Sequence, residues 1–159
     1  MTKEERDLIE DLYLEMYDLL LSYALSNMDN ESLAEEAVQE TFRTTCQKPE
    51  ALFSSPNPRG WLLNTLKFTM ANMKRSRDHA ARVLAAYMSS LSPELLVSED
   101  RMRLEVLYED VADSDEFRLL KEMAVDGCSH LEMAGRRGIT VSACKKRVQR
   151  AKEFLKKKI

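Results

Sequence analysis

The sequence predicts an all-α chain, made of two small helical domains joined by a linker. Three observations carry that prediction. Gly and Pro number only 4 each in 159 residues, too few for the turns of a β-sandwich or barrel. Apolar residues recur at three- and four-residue spacing, with charged residues between them. Charge also divides the chain: residues 1–77 carry net −4, residues 78–113 net −5 and residues 114–159 net +6. The formal net charge of −3 therefore conceals an acidic front and a basic tail, which ask for different partners.

Taken in order, the first helix is marked by Leu8, Ile9, Leu12, Tyr13, Met16, Leu19, Leu20 and Tyr23, with Glu10, Asp11, Glu15 and Asp18 between them. It fades near Asn27-Met28-Asp29-Asn30. Ser32-Leu33-Ala34-Glu35 reads as a capping box that opens a second helix, in which serine and glutamate side chains meet orphan N–H groups. That helix turns Leu33, Ala37, Val38, Thr41 and Phe42 inward and Glu35, Glu36, Gln39, Glu40 and Arg43 outward; Pro49 ends it at the latest. Ser54 to Gly60, with Pro56 and Pro58, is the clearest loop. Trp61 then opens a third helix through Leu62, Thr65, Leu66, Phe68, Thr69 and Met73 to the basic exit Lys74-Arg75-Ser76-Arg77.

The expected domains are 1–77 and 100–159, with 78–99 as a partly helical linker in which Ala80 to Leu91 extends the third helix or starts a new one. Met102, Leu104, Leu107, Tyr108 and Val111 predict one helix of the second domain, and Phe117, Leu119, Leu120 and Met123 another that stops at Asp126-Gly127. Ser129-His130-Leu131-Glu132 is a second capping box. Its short helix stops at Gly138, and Thr140 caps a final helix through Ala143, Val148, Ala151 and Leu155.

Several function classes are excluded at this level. No apolar run is long enough for a transmembrane helix, and the N-terminus lacks the apolar stretch of a signal peptide, so a cytoplasmic protein is expected. Cys46, Cys128 and Cys144 are odd in number and far apart, and His79 and His130 are isolated, which predicts free buried thiols rather than zinc or a disulfide framework. No nucleophile–base pair, phosphate loop or metal cluster stands out, so neither an enzyme nor a cofactor is expected.

Residues 127–158 have helix-turn-helix spacing. Small residues (Ala134, Gly135) let two helices cross closely, Gly138 allows the positive φ of a turn, and Ile139 plugs the gap. Ser142, Ala143, Lys145, Lys146, Gln149 and Arg150 are candidates for a face that enters a major groove. Arg136, Arg137, Arg147, Lys152 and the run Lys156 to Lys158 would meet phosphates. From Gly135 onward ten basic residues stand against Glu153 alone. On residues alone, the other reading is a basic three-helix bundle with a solvated lysine face.

Two blocks of the chain resemble the sigma-70 family of bacterial RNA polymerase sigma factors, in the minimal extracytoplasmic-function (ECF) group that keeps only regions two and four. In the C-terminal block the matching positions are Gly127, Ser129, Glu132, Ala134, Gly138, Ile139, Lys145, Arg147, Arg150 and Ala151. In the N-terminal block they are Ala34, Glu35, Val38, Gln39, Glu40 and Phe42, with Glu36 where Asp is usual; Trp61-Leu62 and Arg75 also fall in place. The departures are Phe68 where many members carry Asn, Asn72 where Asp is frequent, and Ala143-Cys144 for the usual Thr-Val.

The resemblance implies a sigma factor that binds core RNA polymerase and directs promoter-specific initiation. It implies docking of Glu35, Glu36, Gln39 and Glu40 on the β′ clamp helices. It implies handling of the minus-ten element by the loop before Trp61 together with Lys67, Lys74, Arg75 and Arg77. Recognition of the minus-thirty-five element would fall to Ser142, Lys145, Lys146, Arg147, Gln149 and Arg150, with the acidic face of the same domain on the β-flap. Members are often held by an anti-sigma factor. The rival reading is a stand-alone helix-turn-helix regulator, which predicts a homodimer on a palindromic operator.

Overall fold

Thr2 begins the first helix with a capping box: its Oγ1 accepts from the Glu5 N–H at 3.2 Å while Glu5 reaches back to the Thr2 N–H. The structure, a computed structural model, describes residues 1–91 and 114–159, and all regular structure among them is helical. The helices are α1 (Lys3–Asn27), α2 (Glu31–Gln47), α3 (Pro49–Phe53), α4 (Pro58–Leu91), α5 (Asp115–Ala124), α6 (His130–Arg137) and α7 (Val141–Lys157). The helix expected over Met102 to Val111, and the expected linker beyond Leu91, lie outside the described residues. The chain divides into two units, Met1–Arg75 and Ser76–Ile159.

The first unit packs α1, α2, α3 and the first turns of α4 around one core. Leu20, Ala24, Ala34, Ala37, Val38, Leu52, Leu62 and Leu66 are wholly buried in it. Each fully buried leucine contributes about 1.5–3 kcal/mol relative to leaving it in water. The Tyr13 ring meets Phe42 edge-on with centroids 4.8 Å apart. Buried Thr41 and Thr45 leave no polar atom orphaned, because their hydroxyls donate to the carbonyls of Ala37 and Thr41, four residues back. At the entrance of α4, Arg59 Nε donates to Glu15 Oε1 at 2.7 Å and ties the helix to α1.

Two local expectations are corrected here. The cap of α2 is Asn30, whose Oδ1 accepts from the Leu33 N–H at 2.9 Å; Ser32 lies inside the helix. Asn is as strong a cap as Ser, and the Asx side chain two residues earlier takes the orphan N–H first. Leu8, Tyr13 and Leu19 of α1 are substantially exposed, while Ile9, Leu12, Met16, Leu20 and Ala24 face inward.

The second unit is built from the last turns of α4 with α5, α6 and α7. Ala80, Val83, Leu84 and Tyr87 join Phe117, Leu120, Met123, Met133, Val148, Ala151 and Leu155 in its core. Of the two expectations for Ala80 to Leu91, extension of the third helix is the one observed, and these turns are core rather than tether. The physical reason is the apolar stripe itself: positions 80, 83, 84 and 87 repeat at helical spacing and need a partner face. Ser114 caps α5 by accepting from the Phe117 N–H. Gly127, at φ 68°, makes the turn into α6.

Of the cysteines, Cys128 and Cys144 are buried as expected, but Cys46 is exposed near the end of α2. All three are free thiols.

Candidate functional site

Three candidate surfaces can be built from the helices. The first is α2. Glu35 and Glu40 are half-buried and Gln39 is exposed, so these three share an outward face. Glu36 does not join them: it is buried, with 6 % of its surface exposed. The reason is the breadth of cover. Leu33, Ala34, Ala37, Val38, Thr41, Phe42 and Thr45 are buried too, so only a narrow strip of α2 is left to solvent. Tyr17 of α1 lies alongside; burial, then Tyr13, Glu35 and Asp18, push its phenol pKa up.

The second surface is α4. Its N-terminus is set by Asn57, whose Oδ1 accepts from the Gly60 N–H at 3.1 Å. A Cβ on Gly60 would sit 2.7 Å from the Asn57 amide, so any larger residue there makes the capping side chain shift. Burial of Leu62, Leu66, Thr69 and Met70 turns Asn64, Lys67, Phe68, Ala71 and Arg75 to the opposite, solvent side. Lys67 Nζ lies 5.7 Å from the centroid of Tyr23. Arg75 Nη2 donates to Asn72 Oδ1 at 2.7 Å, which holds the guanidinium along the helix.

Phe68 is the surprise of this face. The apolar count places it with the inward residues, yet it is 71 % exposed. Its position two residues after Leu66 and one before Thr69 puts it out of phase with the core stripe, and that offset is the signal in the sequence. Single-strand binders stack unpaired bases on exposed aromatics among cations, and this face has that chemistry. Lys67, Lys74 and Arg75 are exposed in the first unit, whereas Arg77 is half-buried and belongs to the second. Trp61 is half-buried and packed against the core.

The third surface is the pair α6 and α7. Ser129 caps α6 with the expected box: its Oγ accepts from the Glu132 N–H at 3.1 Å, and Glu132 Oε1 accepts from the Ser129 N–H at 3.3 Å. Gly138 ends the helix at φ 62° and ψ 35°, and the Ile139 N–H closes back on the Ala134 carbonyl. Thr140 Oγ1 caps α7 by accepting from the Ala143 N–H at 3.1 Å. Ile139 packs on the core, as a plug should, and Ala134 is buried. Gly135 is not needed for close crossing: a Cβ there would meet nothing within 4 Å.

Burial of Cys144, Val148, Ala151, Lys152 and Leu155 orients α7. Lys146, Gln149 and Arg150 are exposed along its outer face, with half-buried Ser142 at the N-terminal end. Half-buried Lys145 and exposed Arg147 stand on opposite shoulders. On the shoulder toward α5, Arg147, Arg150 and Phe154 line a cavity of about 620 Å³ with Arg137, Asp115 and Glu116. Arg137 Nη1 also pairs with Glu122 at 2.7 Å, so the cations of this shoulder stand among carboxylates.

Lys152 departs from expectation. Read as a phosphate-facing residue, it is instead buried, with 5 % exposure, and its Nζ donates to Ser76 Oγ at 3.1 Å and to the Ser76 carbonyl at 3.3 Å. It stands four residues after Val148 and three before Leu155, so it shares their side of the helix.

No helix among the described residues is long and apolar enough to cross a membrane. No group of three or more His, Cys, Asp or Glu among them is arranged to hold a metal ion.

Residues 12–80 match the family model of Sigma-70 region 2. The match takes in α2, α3 and the exposed face of α4, and it supports a sigma-70 family sigma factor with a role in transcription initiation. Region 2 carries with it an association with core RNA polymerase and promoter DNA. No curated protein matches the chain.

Proposed function

We propose that the chain is a two-region sigma factor of the ECF group, which attaches to core RNA polymerase through its first unit and reads promoter DNA with both. The observation that carries this reading is the match of residues 12–80 to Sigma-70 region 2. A stand-alone regulator is not favoured, because such a regulator has no use for a polymerase-binding region. A sigma factor has no active-site chemistry of its own, and it works in the cytoplasm where the polymerase is.

In this reading Glu35, Gln39 and Glu40 form the docking strip for the β′ clamp helices, and buried Glu36 supports it from below. The face of α4 captures the opened minus-ten strand. Lys67, Lys74 and Arg75 follow the backbone, and Phe68 offers its ring to an extruded base. Stacking of this kind is worth about 1–3 kcal/mol per base. Arg77 acts from the second unit.

The α6–turn–α7 pair is read as a helix-turn-helix for the minus-thirty-five element. Lys146, Gln149 and Arg150 face the groove, Ser142 and Lys145 sit near the N-terminal end, and Arg147 takes a flanking phosphate. The β-flap is the partner for the acidic side of this unit, and an anti-sigma factor would act by covering these surfaces.

The test is reconstitution. Purified protein added to core RNA polymerase is expected to give a stable complex and promoter-dependent transcripts. Absence of any complex at low salt would overturn the proposal.

A further inference from the structure

The two shoulders of α7 differ in how their cations are neutralised. Toward α5, the arginines stand beside Asp115, Glu116 and Glu122. Toward α4, Lys152 bonds to Ser76, and Lys156, Lys152 and Arg82 all act electrostatically on His79; none of Lys152, Lys156, Arg82 and His79 is paired with a carboxylate among the described residues. We propose that this notch, formed by Ser76, His79 and Arg82 of α4 with Lys152 and Lys156 of α7, is a phosphate-binding site.

The geometry supplies the donors. Ser76, His79 and Arg82 follow one another at three-residue intervals on α4, and Lys156 stands one turn beyond Lys152 on α7. The bonds from Lys152 to Ser76 clamp the two ladders together. The buried Lys152 ammonium gives its bonds to the hydroxyl and carbonyl of Ser76, so it supplies charge behind the notch rather than a donor at its rim. Arg82 and Lys156 are exposed at the rim and add charge-assisted donors, and the half-buried His79 ring adds an N–H.

The electrostatics explain why the anion is wanted. Lys152 is out of water with only neutral oxygens as partners, and burial followed by Lys156 lowers its pKa. Burial lowers that of His79 as well, assisted by Lys156, Lys152 and Arg82. A phosphate in the notch offsets the charges of Lys152, Lys156 and Arg82 together and favours protonation of His79.

Two sources share this chemistry: a free phosphorylated compound, and a backbone phosphate of DNA running past the edge of α7. The test follows the His79 ring by NMR in the full chain, without polymerase, so its outcome does not depend on the polymerase assay. The probes are inorganic phosphate, pyrophosphate and a short DNA duplex, each against sodium chloride at matched ionic strength. A saturable upward movement of the His79 titration midpoint is expected, because a bound anion favours the imidazolium. Arg82→Ala and Lys156→Ala remove exposed side chains, so they keep the fold; each is expected to weaken the response about tenfold, the loss of one charge-assisted contact.

A response to phosphate or pyrophosphate identifies the free compound, and a response to duplex alone identifies the DNA backbone; both uphold the site. The proposal is overturned if His79 responds to none of the three beyond chloride, or if both variants respond as the parent does.

Discussion

The outer faces of α4 and α7 are both basic, and they differ in one respect that decides what each can hold. The α4 face sets Phe68, 71 % exposed, among Lys67, Asn64 and Arg75. On α7, Lys146, Gln149 and Arg150 have no aromatic among them; the exposed ring of that helix, Phe154, stands one turn beyond Arg150 and is 38 % exposed, with Lys158 Nζ 4.4 Å from its centroid. A ring in water is useful only if something flat covers it, and an unstacked base is flat; hydrogen-bonding side chains suit the edges of paired bases. Net charge alone would rank the two helices as equivalent. In the proposed reading, the freely exposed ring of Phe68 is what marks the α4 face for melted strand and leaves the α7 face to duplex.

The sharpest way to break the comparison is to strip α7. Lys146→Ala combined with Arg150→Ala should weaken duplex promoter binding by about 1–3 kcal/mol for each lost base contact, or less where the contact is a phosphate. Polymerase binding should be unchanged, as a pull-down with core enzyme would reveal. Loss of both activities together would mean the two faces do not divide the work.

Phe68→Ala comes next. Loss of about 1–3 kcal/mol of base capture is expected, read as slower promoter opening on duplex templates and weaker binding of single-stranded minus-ten oligonucleotide. Thermal stability should hold, because the ring is not in the core. A fall in melting temperature without a change in opening would return Phe68 to a packing role.

Glycine substitutions test the positioning of the same helices. Gly60→Ala should displace the Asn57 cap and cost about 1 kcal/mol. Gly135→Ala meets open space in α6 and should stabilise the second unit by up to about 1 kcal/mol. Chemical denaturation of the pair distinguishes the opposite signs.

What could be read from the chain follows from the range of the forces involved. The Ser129–Glu132 box, the Thr140 cap and the turn at Gly138 are contacts within a few residues, and each stands where its spacing puts it. Facing is harder to read, because it depends on how much of a helix its neighbours cover. Glu36 is buried since α2 is enclosed on most sides, and Lys152 is buried since α7 packs on α4 through that shoulder. Charge suggests solvent for both. The core role of Ala80 to Tyr87 is equally non-local: the stripe is visible, but its partners lie beyond residue 114.

The smallest effect expected is one of pH, and it belongs to the α7 side of the comparison. His79 has a folded-state pKa below its ordinary 6.5, through burial and then Lys156, Lys152 and Arg82. The unfolded chain therefore takes up the proton first. Stability from this group is intact above pH 6.5 and is lost as pH falls from there through the lowered folded value. Lys152 shifts in the same direction from 10.5, so the second unit should gain stability as pH rises through its lowered value towards 10.5. Melting temperatures across the acid limb, in a buffer free of phosphate, should fall less steeply for His79→Gln than for the parent. An identical slope in the two proteins would show that the ring does not feel the lysines of α7, and the basic notch would then lose its histidine.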